Sequence, residues 1–145
     1  MPKLLIFAPC EKVIIDQATN TLSLITVLQE IRYKAPPNVP LPTNAPLGLA
    51  MQWSVLTLWR QEEPDDAGVQ FEQRFVLADA TNILLENRMA WTFSAPTHRI
   101  IARVSGFPAS ANRKLSLSLF YRAVGAMDWI PSSSFPIEVL REVLG

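Results

Sequence analysis

From Val69 to Phe93 the chain alternates side-chain character residue by residue, and that alternation restricts what it can form. The odd positions read Val69, Phe71, Gln73, Phe75, Leu77, then Ile83, Leu85, Asn87, Met89, Trp91 and Phe93. The break between the two runs is Ala78-Asp79-Ala80-Thr81-Asn82, which has turn composition. Side chains on a strand point alternately to the two faces of a sheet, whereas a helix would scatter this stripe around its axis. The segment therefore predicts two antiparallel strands with one face buried. Setting Leu77 opposite Ile83 puts Arg74 against Glu86 and Glu72 against Arg88 on the outer face. On the inner face it puts Gln73 against Asn87, the amides of an otherwise apolar stripe. Such pairs contribute about 0.2–1 kcal/mol each and select the register. A slip of one residue would turn each stripe to the wrong side.

The remaining chain follows the same logic. Lys3 to Ala8 and Glu11 to Asp16 read as two strands separated at Pro9, and Thr21 to Tyr33 as one long β-branched strand. Residues 35–46 carry Pro36, Pro37, Pro40, Pro42 and Pro46. Proline removes a backbone donor and restrains the residue before it, so this stretch is neither central strand nor helix. An extended crossover between two sheets is the preferred reading over a polyproline ligand for an aromatic groove. Leu47 to Arg60 is a strand with Leu47, Leu49, Met51, Trp53 and Val55 on one face and Leu56 and Leu58 on the other. Gln61 to Gly68 is a polar loop. Strands follow at His98 to Phe107 and Lys114 to Ala123, then a loop over Val124 to Ser134. Phe135 to Leu144 suits a last strand better than a short helix. About eight or nine strands with turns at short intervals predict an antiparallel β-sandwich, immunoglobulin-like or C2-like. At 145 residues one domain spanning 1–145 is expected.

The opening third resembles a bacterial family of short proteins of unknown function. The residues concerned are Ala8-Pro9-Cys10, Val13-Ile14-Ile15-Asp16 and Leu22-Ser23-Leu24-Ile25 followed by Val27-Leu28. The family pattern is two strands around an acidic turn, a Leu-Ser-Leu strand, a proline-bearing crossover and more strands. The resemblance implies a sandwich-like all-β fold and transfers no catalytic residue.

Thirteen basic residues balance thirteen acidic ones. A neutral chain lacks the electrostatic footprint of a nucleic-acid or anionic-membrane binder, and does little to oppose self-association. Cys10 is the single cysteine, which rules out an internal disulfide and fits a reducing compartment. The apolar run before Pro9 is shorter than a secretory core, so the expected location is cytoplasmic.

Catalytic chemistry finds little material. A serine-triad mechanism needs a base held by a third group, and His98 is the one histidine, best read as a surface residue. Cys10 and His98 lack any local signature of a thiol–base pair, and a buried, inert cysteine is preferred. One cysteine and one histidine cannot build a transition-metal site, so no metal and no cofactor are expected. Glu62, Glu63, Asp65 and Asp66 crowd one loop. A solvated tip is preferred there over a calcium site, because Pro64 interrupts the run and no second acidic loop is evident. Trp53 and Trp91 fall on inward stripes, whereas Trp59 and Trp129 are freer to meet a ligand.

The more informative anomaly is apolar residues of outward parity: Leu56, Leu58, Val76, Leu84, Ile101 and Phe120. Gathered together they would form a patch that needs a partner, since monomers seldom expose such area. Alternatively a crossover or the tail covers them within the chain. The expected function is thus a non-enzymatic interaction or assembly module, with another protein or a second copy as partner. The alternative is a module binding a sugar, lipid or calcium at Trp59, Glu62, Glu63, Asp65, Asp66 and Trp129.

Overall fold

Strand β4 (Leu47–Arg60) is buried from Trp53 to Thr57 and again at Trp59, and the two layers of the fold are arranged around it. The computed structural model describes residues 1–35, 47–109 and 113–143, so the proline-rich crossover lies outside the described residues. Among these, the other strands are β1 (Lys3–Asp16), β2 (Thr21–Val27), β3 (Glu30–Ala35), β5 (Gln70–Ala78), β6 (Ile83–Thr92), β7 (Thr97–Ala109), β8 (Lys114–Ala123) and β9 (Ile130–Val143). They form a four-stranded sheet of order β2-β1-β4-β7 and a five-stranded sheet of order β3-β9-β8-β5-β6. All neighbours are antiparallel except β3 and β9, which run parallel. The fold is all-β and sandwich-like.

The core lies between the sheets. Trp53, Val55, Trp59, Ile100 and Ala102 from the first meet Phe71, Phe75, Leu77, Leu117, Leu119 and Val139 from the second. Trp59 stacks on Trp91 with ring centroids 5.2 Å apart, and Trp91 lies 5.6 Å from Phe71. Within this apolar layer the Gln73 side-chain oxygen accepts hydrogen bonds from Thr57 Oγ1 at 2.7 Å and Trp59 Nε1 at 2.9 Å.

The β5–β6 hairpin keeps the expected faces over most of Phe71–Leu77 and Leu85–Trp91 but not the partners, and Val69, Ile83 and Met89 of the inward stripe are exposed. A bulge between Leu77 and Ala78 sets Leu77 opposite Leu85, not Ile83. The shift is two positions, so parity survives while each outer residue meets a different neighbour. Arg74 stands opposite Arg88, Gln73 opposite Met89, and Phe75 opposite Asn87. The ion pairs form diagonally, with Arg74 Nε 2.8 Å from Glu86 and Arg88 3.3 Å from Glu72. The turn explains the offset. Asp79 Oδ1 accepts from the Thr81 and Asn82 amides at 2.8 and 2.7 Å, closing a tight Asx loop that leaves one strand residue over.

Three element boundaries differ from the expectation for one reason: a strand here changes partner partway. β1 runs unbroken through Pro9, pairing with β4 over Lys3–Cys10 and with β2 over Cys10–Asp16. Pro9 sits at the handover, where a missing amide donor costs least. Thr21 to Tyr33 is two strands in different sheets, parted at Leu28-Gln29, shortly after Thr26 at φ 55°. β9 starts at Ile130, earlier than expected, with its first half paired to β8 and Glu138–Val143 paired to β3. Pro131 and Pro136 fall in the half that has one neighbour.

Leu56 has outward parity yet is fully buried, so it should behave as core. Leu56→Ala is expected to cost about 2–5 kcal/mol in urea unfolding at constant m. A loss within about 0.5 kcal/mol would place Leu56 on an open surface.

Candidate interaction surface

The chain's own first hairpin lies over the part of the four-stranded sheet around Leu56, sharing clefts with Leu58 and with Ile101. β1 leaves β4 at Cys10, and the β1–β2 hairpin folds back over the face of the four-stranded sheet that points away from the core. Asn20, at its tip, accepts a 2.8 Å hydrogen bond from the Arg99 guanidinium on β7. Leu22 shares an open cleft of about 680 Å³ with Ile6, Leu58 and His98. Val13 and Lys12 share a second, of about 420 Å³, with Ser54, Ile101 and Arg103. Between the clefts Cys10 and Leu56 have no exposed surface. Val13, Ile15, Leu22 and Leu24 are the half-buried side of the hairpin, and their partners in register are each other.

The hairpin's other side faces water. Ile14 and Ile25 are each exposed to 42%, on the same face as Lys12 and Ser23, and Val27, past the irregular Thr26 and opposite buried Cys10, is exposed to 43%. This hairpin is thus apolar on both faces, and one is covered. Reading Thr21 to Tyr33 as a single strand hid this, because Leu22, Leu24 and Leu28 are even while Ile31 and Tyr33 are odd. That change of parity was the available signal.

The six outward apolar residues do not form one patch. Leu56, Leu58 and Ile101 lie beneath the hairpin on the four-stranded sheet. Val76 and Phe120 lie on the outer face of the five-stranded sheet, with Val76 opposite Glu86 instead of Leu84. Leu84, displaced by the bulge, packs against the core. Charged side chains cover the outer face around Phe120. The Arg74 guanidinium sits 5.7 Å above the Phe120 ring, and Glu72 accepts a 2.6 Å hydrogen bond from Arg122. Arg122, and then Arg88, hold the Glu72 carboxyl below the usual carboxylate range.

The six residues expected to meet a ligand are also dispersed. Trp59 is fully buried in the core, because its inward parity follows from β4 staying regular through Thr57. Trp129 is half-buried on the outer sheet face, 4.0 Å from the Arg122 guanidinium and 5.1 Å from that of Arg88. Glu62 pairs with Arg60 at 2.5 Å and Asp65 is exposed. Glu63 and Asp66 bracket a 3-10 turn (Pro64–Asp66), and both approach the Met1 amino group, at 3.3 and 3.2 Å. Asp66 is buried and accepts from the Glu63 amide at 3.2 Å. Among the described residues no three of His, Cys, Asp and Glu gather to hold a metal ion.

His98 and Cys10 are far from equivalent. His98 is half-buried and stacks on Trp91 at 6.3 Å, with ring planes 9° apart. Burial lowers its pKa below the ordinary 6.5. The unfolded chain therefore takes up the proton first. The stability held by neutral His98 is full above about pH 6.5 and is lost as pH falls toward the lower folded value. An NMR titration should give His98 a midpoint below 6.5, and His98→Gln should flatten the fall in Tm between pH 7 and 5.5. Burial pushes the Cys10 thiol up, which keeps it protonated and unreactive at neutral pH.

Because Cys10 lies at the hairpin's base, its alkylation reports hairpin lifting. The Arg99–Asn20 hydrogen bond contributes about 0.5–1.5 kcal/mol, so Arg99→Ala should speed native alkylation roughly two- to tenfold. Equal rates in both proteins would show that the tip contact does not hold the hairpin down. No family model matches the chain, and no curated protein does either.

Proposed function

We propose that this protein is a non-enzymatic assembly module whose contact surface is the outward side of the β1–β2 hairpin. The observation that carries the reading is the row Ile14, Ile25 and Val27, three large aliphatic residues left in water on a hairpin whose opposite side is covered. Single exposed aliphatics such as Ile83 and Val124 are ordinary, but several together on one hairpin mark a contact. Zero net charge removes the long-range repulsion that would keep copies or partners apart. The rest of the molecule acts as a rigid support. Its antiparallel layers favour an immunoglobulin- or C2-like scaffold, and the parallel β3–β9 pair counts against the standard strand plan of either. A cytoplasmic setting, favoured by the single buried thiol, and kinship with the short bacterial proteins resembled by the opening third belong to the same proposal.

Sedimentation velocity over a hundredfold concentration range tests this reading. The expected result is a mass that rises above monomer, and a return to monomer in Ile25→Lys with Tm unchanged. A wild-type mass that stays monomeric throughout would overturn it.

A further inference from the structure

The free edges of the two sheets are not alike. In the described residues the outer strands are β2 and β7 in one sheet, β3 and β6 in the other. An edge strand presents unpaired amides and carbonyls, and chains that stay monomeric guard such edges with charges, prolines or irregular backbone. β3 carries Glu30, Arg32 and Lys34, and β6 carries Glu86 and Arg88. β7 carries Arg99 and Arg103, with Gly106 at φ 82° and Pro108 near its end. β2, Thr21-Leu22-Ser23-Leu24-Ile25-Thr26-Val27, has no charge, no proline and no glycine. Its irregularity, Thr26 at φ 55°, stands near the end and leaves Thr21–Ile25 straight. Four of its seven residues are threonine, isoleucine or valine, which suit pairing.

We infer that β2 pairs edge to edge with β2 of a second copy, antiparallel about a two-fold axis, joining two four-stranded sheets into one of eight. The inference rests on the assembly reading above and names its partner. Self-pairing is the case that this strand's composition fits. In a two-fold contact a strand meets itself, so any charge it carried would approach its own copy. β2 carries none, in any register. The pairing also makes the two exposed rows of Ile25 and Val27 neighbours across the axis, extending one apolar strip over both hairpins. With one unguarded edge among the described strands, the contact closes on itself and the assembly stops at two.

Amide hydrogen exchange by NMR, recorded on the full chain at high and tenfold lower concentration beside sedimentation, tests the inference. The expected result is a dimer in which alternate amides of Thr21–Val27 exchange roughly tenfold more slowly at the higher concentration, while the β3, β6 and β7 edges do not change. A dimer whose concentration-dependent protection lies on another edge, or on none, would overturn edge pairing and leave assembly through a different surface. A monomer at every concentration would overturn the assembly reading together with this one. Protection of the β2 amides that is independent of concentration in a monomer would show the edge covered from within the chain, and would likewise overturn it. Assemblies larger than two would contradict the closed contact.

Discussion

The segment Trp53–Trp59 leaves almost no surface to water on either side, and the architecture answers to that requirement. Its odd residues enter the core between the sheets, and the five-stranded sheet covers them. Its even residues Leu56 and Leu58 point the other way, to the side over which β1 and β2 fold back. A sandwich normally has one wet face per sheet. Here a third partial layer is laid over part of one sheet, built from a strand that belongs to that sheet. The cover is short, so its own far side stays exposed, and the apolar surface has been moved outward more than removed.

Polar groups inside the core limit how the two sheets can slide. Gln73 on one sheet takes hydrogen bonds from Thr57 and Trp59 on the other through a single oxygen. A buried donor left without a partner costs about 1–3 kcal/mol, so a displaced sheet would strand both donors together. Trp59 is held from two directions, by this bond and by its stack on Trp91. The arrangement fixes relative position more than it adds net stability.

How much of this was legible depends on how far apart the deciding residues lie. The stripes of β5, β7 and β8 were readable because alternation is a property of neighbours. The diagonal salt bridges of Glu72 and Arg74 were readable as pairs, yet their register was not, since a bulge at the hairpin turn shifts partners without changing parity. Trp59 and Trp129 looked alike as loop-proximal aromatics. One is in the core and the other lies beside two guanidiniums on the outside, a difference set by strands β6, β8 and β9 that neither residue's own neighbours reveal. The apolar residues of outward parity stood out in the sequence, but they do not group, because half belong to each sheet.

Sequence alone determined the all-β character, the two-layer plan and the inward faces of most strands, because side-chain direction repeats every two residues and is written locally. Only the tertiary structure decided where a strand changes partner: β1 at Cys10, the chain between β2 and β3, and β9 at Glu138. Each handover is settled by competition between strands distant along the chain for the same edge; a local change of parity, as after Leu28, marks a break but does not name the partner on either side. That competition is what laid the first hairpin over the four-stranded sheet and left β2 at an edge.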